Sequence, residues 1–356
     1  MTPFLTICIL GFTGKNPSRK TILNQGLKTH DAEIISCEMP KKDFFSYIHL
    51  IFKFIKLKKK IDLIFIHFPG YQVAILARCF TWKPIILDAF TSVYLSGVED
   101  RKNARKYSFR GLYYYLLDYL SCKACNLILL DTHAQIDYFS SQFMIPKHKL
   151  KCIYLSTLPH IFYPIKKKNH IIPHTLVQFH GSYIPLHGID VILRSAFLLK
   201  DENIFFVLIG RGQTFPEMLK LYSDLKLSNT FLLPRKIKIE AIHACLLQSD
   251  ISLGIFGNSL KSEIVIPNKV YEALATQKPI ISSDTQAMRE LFVDRKHMLF
   301  CKKGDPQDLA EKILLLHKNA DLRKYISDQG YQFFQKKLIP QKVLMPLQKY
   351  ITDHSK

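Results

Sequence analysis

Short apolar runs recur along this chain, each handing over to a segment with helical spacing, and this repetition limits the fold more than any other feature. The runs cover residues 4–10, 63–67, 84–87, 127–130 and 151–155, then 175–179, 204–209, 230–233, 251–255 and 279–282. Several are apolar at every position rather than at every second one, which suits strands covered on both faces, as parallel strands are. The repetition predicts an α/β fold with two Rossmann-like, doubly wound sheets.

At 356 residues the chain is too long for one simple core. The pattern breaks at Tyr163-Pro164-Ile165, which runs into Lys166-Lys167-Lys168-Asn169 as a linker does. The expected organisation is therefore a first domain over residues 1–165 and a second over 170–335. A tail over 336–356, containing Pro340 and Pro346, packs back toward the first domain. The apolar N-terminus has no basic segment before it and reads as a buried strand, not a signal peptide. No apolar run reaches the roughly 18 residues of a membrane span.

Eight cysteines are scattered, and Cys122 and Cys125 form the only CxxC. With no second pair or histidine cluster beside it, that motif reads as helix packing rather than a metal or redox site. Free thiols place the chain in a reducing cytoplasm.

The formal net charge of +21 needs a partner: nucleic acid, an anionic membrane or an anionic substrate. Neither a zinc finger, an RNA-recognition signature nor a helix-turn-helix appears, so nucleic acid is set aside. Residues 44–57 predict an amphipathic helix. Phe44, Tyr47, Ile48, Ile51 and Ile55 share one face, and His49, Lys53, Lys56 and Lys60 the other. A second basic, aromatic stretch holds Arg101, Lys102, Arg105, Lys106, Arg110 and Tyr113–Tyr115. Such helices suit the inner face of the plasma membrane, and an ordinary docking helix in a basic protein competes with that reading.

The densest chemical signal is Lys261-Ser262-Glu263-Ile264-Val265-Ile266-Pro267-Asn268-Lys269-Val270-Tyr271-Glu272, followed by Lys278-Pro279. It reads as a loop and then a helix entered at Pro267–Asn268, with Asn268 as N-cap. Free N–H groups at that start can hold an anion, with Lys261 or Lys269 adding charge. Glu272, one turn further in, suits a ribose diol. A capped helix with solvated lysines accounts for the same residues. Two glycine loops, His180-Gly181-Ser182 through His187-Gly188 and Gly210-Arg211-Gly212, sit where a strand hands over to a helix. Singly, each is a tight turn as readily as a phosphate loop.

As a set, "GSYIPLHGID", "LIGRG", "QSDISLGIF", "IPNKVYEALATQKPIISSD" and "CKKGDPQDLAEKI" resemble, in order and spacing, the C-terminal domain of retaining glycosyltransferases of the GT-B architecture, glycosyltransferase family four. The resemblance covers residues 174–335 well and the first half more loosely. It implies two Rossmann-like domains facing a central cleft, and glycosyl transfer with retention from a nucleotide diphosphate sugar. Glu272 takes the family's ribose-binding position. Ile266, Pro267 and Asn268 form the backbone before it, and the Gly181–Gly188 loop faces the diphosphate. Ser182 and His187 stand where the family usually has Arg and Lys. Phosphate neutralisation then falls to Lys261, Lys269 or Arg211, with Gly210 in the second turn and Glu263 facing the sugar. The acceptor is a glycan or lipid-linked intermediate.

In the first half, Gly11 and Gly14 follow the first strand, and His67, Asp88 and Ser92 follow later ones. Asp88 and His67, with Glu263, are the catalytic candidates, and Gly11, Gly14 and Ser92 the acceptor-side ones. A loop cap is the plainer reading of His67 and Asp88. No Asp-x-Asp motif stands at a strand end, so neither metal nor cofactor is expected. A nucleotide-sugar epimerase and a non-catalytic nucleotide-sugar binder remain as alternatives on the same architecture.

Overall fold

The structure, a computed structural model, describes residues 5–13, 17–28, 32–165 and 174–353. It has two compact units, Met1–Leu155 with Pro340–Lys356, and Ser156–Ile339.

The first unit runs β1 (Leu5–Phe12), α1 (Pro17–Leu27), β2 (Ala32–Met39), α2 (Phe44–Leu57), β3 (Leu63–Ile66), α3 (Tyr71–Phe80), β4 (Ile85–Phe90), α4 (Phe109–Ala124), β5 (Leu127–Leu130), α5 (His133–Phe143) and β6 (Leu150–Cys152). Its six strands are parallel in the order β2-β1-β3-β4-β5-β6. β3 and β5 are buried at every position, as their unbroken apolar runs require. β2 has no such run. It alternates imperfectly, pairs with β1 at the sheet edge and keeps most of its side chains partly open. Periodicity over eight residues interrupted by the adjacent Ile34 and Ile35 is a faint signal, and the strand is absent from the predicted set.

The second unit runs β7 (Thr175–His180), α6 (Ile189–Leu198), β8 (Ile204–Ile209), α7 (Phe215–Asp224), β9 (Thr230–Leu233), α8 (Ile239–Gln248), β10 (Ile251–Leu253), α9 (Leu260–Ile264), α10 (Asn268–Ala275), β11 (Ile280–Ser283), α11 (Gln286–Arg289), β12 (Leu299–Cys301), α12 (Pro306–Lys318) and α13 (Ala320–Phe333). Its parallel order is β12-β11-β10-β7-β8-β9. The chain starts in the middle, builds outward through β8 and β9, and returns to build β10 to β12 on the other side. β12 was the second strand the sequence reading missed, being only three residues long.

Residues 156–165 belong with the second unit, where Ser156 Oγ donates to Leu338 O at 2.5 Å. Lys166–Asn169 lie outside the described residues. The last helices, α14 (Pro340–Val343) and α15 (Met345–Asp353), belong with the first unit, and α15 packs on α1. A β-carbon on Gly26 would meet Leu344 at 2.7 Å, so the smallest side chain lets this segment close in.

Helix α2 spans the predicted residues but turns differently. Leu50 and Phe54 are its buried residues, with Tyr47 and Leu57 also against the core. The apolar face expected from spacing therefore docks only along its Tyr47 and Ile51 edge. Phe44, Phe45, Ile48, Phe52 and Ile55 are exposed, Phe45 by 80%. Cys122 and Cys125 are buried thiols in the same core, and burial pushes Cys125 up to about 12. Among the described residues no helix is long and apolar enough to cross a membrane.

Candidate functional site

In an open α/β sheet the ligand crevice forms beyond the strand C-termini, where strand order reverses. In the second unit that point lies between β7 and β10. The predicted donor residues gather there. β7 ends at His180, and Gly181 follows with φ +152°. Gly210, after β8, has φ +139°, and a β-carbon on it would stand 1.8 Å from Gly181 O. Only glycine allows the two loops to touch.

Helix α10 brings the side chains of Lys269 and Glu272 to the end of β7 and this loop. Pro267, not Asn268, occupies the N-cap. Its backbone is extended, and no side chain caps the helix. Proline gives a firm start but offers no oxygen, so the helix head is left for another acceptor. Lys269, one position beyond Asn268, is 4% exposed and turns inward. Its Nζ lies 4.3 Å from the centre of the Phe179 ring and has no hydrogen-bond partner among the described residues. A β-carbon on Gly181 would stand 3.0 Å from that Nζ, so the amine lies directly under the glycine loop. Burial lowers the Lys269 pKa to about 7, and the Glu272 carboxylate only partly offsets this.

Glu272 is 9% exposed, and its Oε2 lies 2.7 Å from His180 Nε2. On the other side of the ring, His180 Nδ1 is 3.2 Å from Gln178 Nε2. His180 is a site residue that the sequence reading passed over as the first letter of a glycine loop.

His187 braces the loop rather than carrying charge. It is buried, and desolvation first, then nearby Lys269, hold its pKa well below the usual imidazole range. Its neutral ring donates Nδ1–H to Ser182 O and braces the loop. Ser182 itself is exposed. Lys261 is buried on α9. Arg211 lies over the Phe215 ring at 5.6 Å and lines a cavity of about 230 Å3 with His180, Gly181, Gly210, Arg235 and Lys236. Arg235 and Lys236, just after β9, were missed too; a basic pair at a strand C-terminus was the available signal.

Glu263 sits on α9 facing α11. It accepts from Gln286 N at 2.9 Å and pairs with Lys303 Nζ at 2.5 Å. Burial opposes its ionisation, but Lys303 and Gln286 outweigh that and hold its pKa below the usual value. It is a carboxylate with two partners already.

The first unit's candidates sit at strand ends as well, with different freedom. The strand order there reverses between β1 and β3. Gly11, next to last in β1, has φ +142° and, among the described residues, no atom within 4 Å of a would-be β-carbon, whereas Gly14 lies outside the described residues. His67 is 6% exposed, and its Nε2 lies 2.8 Å from Asn24 Oδ1. Burial first, then Lys20 and Arg19, depress its pKa to about 3. The neutral ring donates Nε2–H to the Asn24 amide oxygen, and its Nδ1 is buried without a partner among the described residues.

Asp88 is 1% exposed and takes both ends of Arg19: Nη2 at 2.7 Å and Nε at 2.9 Å to Oδ1. The sequence reading missed Arg19, 69 positions away. Ser92 is a correction. Its hydroxyl is fully buried and donates to Asp118 Oδ2 at 2.6 Å, while Asp118 also accepts from Tyr94 N at 2.8 Å. The pair ties down the turn after β4 and presents nothing to an acceptor. At the head of α4 a cavity of about 610 Å3 is lined by Tyr94, Lys106, Tyr107, Phe109, Leu112 and Tyr115. Among the described residues no three His, Cys, Asp or Glu side chains gather as a metal site.

Two six-stranded parallel sheets of Rossmann type, one in each unit, define the GT-B fold. Residues 165–333 match the family described as glycosyl transferases group 1. An uncharacterized glycosyltransferase of Methanocaldococcus jannaschii, MJ1178, is 30% identical over 187 residues, which cover 50% of this chain and 48% of that protein. This chain spans about half the length of the curated relatives it matches. Among solved structures, Anabaena Alr3699/HepE in complex with UDP-glucose is similar with a TM-score of 0.74 at 12% identity, over 98% of this chain and 100% of that one. Sucrose-phosphate synthase from Thermosynechococcus elongatus gives 0.73 at 10% identity, over 98% of both.

Proposed function

We propose that this chain is a glycosyltransferase that moves a sugar from a nucleotide diphosphate sugar to a glycan or lipid-linked acceptor. The anomeric configuration is retained. The observation that carries this reading is the group at the sheet reversal of the second unit: an uncapped helix head, an unpartnered buried amine and a half-occupied carboxylate around Gly181. The helix head and Lys269 suit the diphosphate, with Arg211 at the cavity rim, and the open oxygen of Glu272 suits the ribose. Charge developing on the leaving diphosphate is met by groups already in place, so little reorganisation is needed as the bond breaks. The group 1 match covers these residues, and the similar HepE was solved with UDP and UDP-glucose.

Two exposed apolar stripes in the first unit support a membrane-borne acceptor. One runs along α2 through Phe45, Ile48, Phe52 and Ile55, and the other along α4 through Phe109, Leu112, Leu116 and Leu120. Lysines and arginines border both, which suits an anionic interface.

A donor panel tests the reading. Purified protein is incubated with UDP-, GDP-, ADP- and dTDP-sugars, with and without lipid-linked acceptors, and released nucleoside diphosphate and product anomer are measured. Release with an α-linked product from an α-linked donor is expected. Conversion of the sugar without release would replace the reading by an epimerase, and binding without turnover by a binding protein.

A further inference from the structure

We propose that Lys269 is a switchable charge in the donor site, an amine that takes a proton from solvent when a nucleoside diphosphate enters and gives it back when the diphosphate leaves. The inference rests on the donor-site reading above and concerns how that site is regulated.

The geometry sets up the exchange. Lys269 Nζ is buried against the Phe179 ring and under Gly181, with no hydrogen-bond partner among the described residues. Its natural partner, Glu272, is three positions on along α10 but has its Oε2 against His180. The amine is thus left beside a carboxylate that does not pair with it. An ammonium group in such surroundings lacks both water and a counter-ion, and its ring contact restores only part of the loss. The free protein answers by holding the proton weakly, with a Lys269 pKa of about 7.

The other charged and titratable groups around it do not take over this role. Glu272, on the same helix, favours the ammonium form but is outweighed by burial. His180, at the end of β7, faces Glu272. His187, from the loop after β7, is held neutral by burial. Lys261, on α9, is a second cation acting on the same His187 ring and adds no negative charge. A diphosphate at the Gly181 loop would bring the missing negative charge within reach of Nζ. The bound amine then returns toward the ordinary lysine pKa of about 10.4. Proton and diphosphate bind together, so each raises the affinity of the other.

Isothermal titration calorimetry with UDP, GDP, ADP and dTDP, in buffers of different ionisation enthalpy, measures the proton count directly. At pH 8.5 the diphosphate is fully ionised and ordinary histidines are neutral. Uptake of about 0.8–1 proton per ligand bound is expected there, with Kd rising about tenfold per pH unit between pH 8 and 9.5. Lys269→Arg, a permanent cation, and Lys269→Met, a neutral one, should each bind with no uptake, and their folding is checked by circular dichroism. Should either variant fail to fold, the wild-type proton count still decides. Uptake below about 0.2 proton with a flat Kd profile would overturn the switch while leaving the donor site standing, as would uptake that persists in Lys269→Met. If none of the four diphosphates binds the wild type, the donor-site reading falls and the switch with it.

Discussion

His180 Nε2 and Glu272 Oε2 are 2.7 Å apart across the end of β7 and the second turn of α10, in a place where both residues are buried. The contact fixes the carboxylate and commits one of its oxygens, leaving the other to a ligand. Histidine therefore acts here as a positioning residue for a group proposed to hold ribose.

Removing that group should weaken donor binding. Charge-assisted hydrogen bonds contribute roughly 1.5–3 kcal/mol each, so Glu272→Ala should raise Kd for nucleoside diphosphate by at least about tenfold. Glu272→Gln keeps the shape and part of the affinity. Calorimetry with ribo- and 2′-deoxyribonucleoside diphosphates checks this, since Glu272→Ala should bind both alike. Equal affinity of wild type and Glu272→Ala for the ribonucleotide would leave Glu272 as an ordinary helix residue.

Asp88 and Arg19 form a buried, two-pronged pair, and the expected effect of Asp88→Ala is first on stability. An unpaired buried guanidinium costs about 3–5 kcal/mol, while removing both charges costs less than removing one. Urea unfolding should therefore show Asp88→Ala strongly destabilised and Arg19→Met/Asp88→Leu partly recovered. A single variant as stable as wild type would show that the pair does not hold the strand ends, and would return Asp88 to consideration as a reacting group.

These two sites differ in how much of them the sequence displayed. The candidate site of the second unit was legible because its parts lie in short contiguous stretches: Gly181 to His187 follows one strand, and Pro267 to Glu272 opens one helix. Unbroken apolar runs such as Ile204–Ile209 marked the doubly wound sheets for the same local reason. What escaped notice depends on distance in the chain. Nothing near Asp88 announces Arg19, and nothing near Glu272 announces His180, 92 positions earlier. Helix α2 shows a different limit. Spacing identified the helix, but so many of its residues are apolar that spacing could not say which stripe docks, and the core took Leu50 and Phe54.

That leftover stripe carries a prediction about location. Replacing Lys56, Lys59 and Lys60 with Glu removes about 1 kcal/mol of attraction to an anionic surface per lysine and adds repulsion. Sedimentation with phosphatidylglycerol vesicles should fall sharply, and Phe45→Ser/Phe52→Ser should weaken it further by removing apolar contact. Turnover on a soluble acceptor should stay near wild type. Vesicle binding that ignores both sets of changes would mean that α2 faces water or another protein.

Lys269 makes the free protein's stability depend on pH in a direction that can be worked out. Its folded pKa, about 7, lies below the unfolded lysine value of about 10.4, so between those limits the unfolded chain binds more protons. Stability from this residue therefore rises with pH across that window, and its destabilising effect is complete below pH 7. Lys269→Met removes the titration. The variant should be about 2–4 kcal/mol more stable than wild type at pH 6, with the difference shrinking steadily toward pH 10. Chemical unfolding at several pH values without ligand measures this gap. A gap that is constant with pH, or that grows as pH rises, would show that the buried amine keeps its charge at no cost in the folded protein.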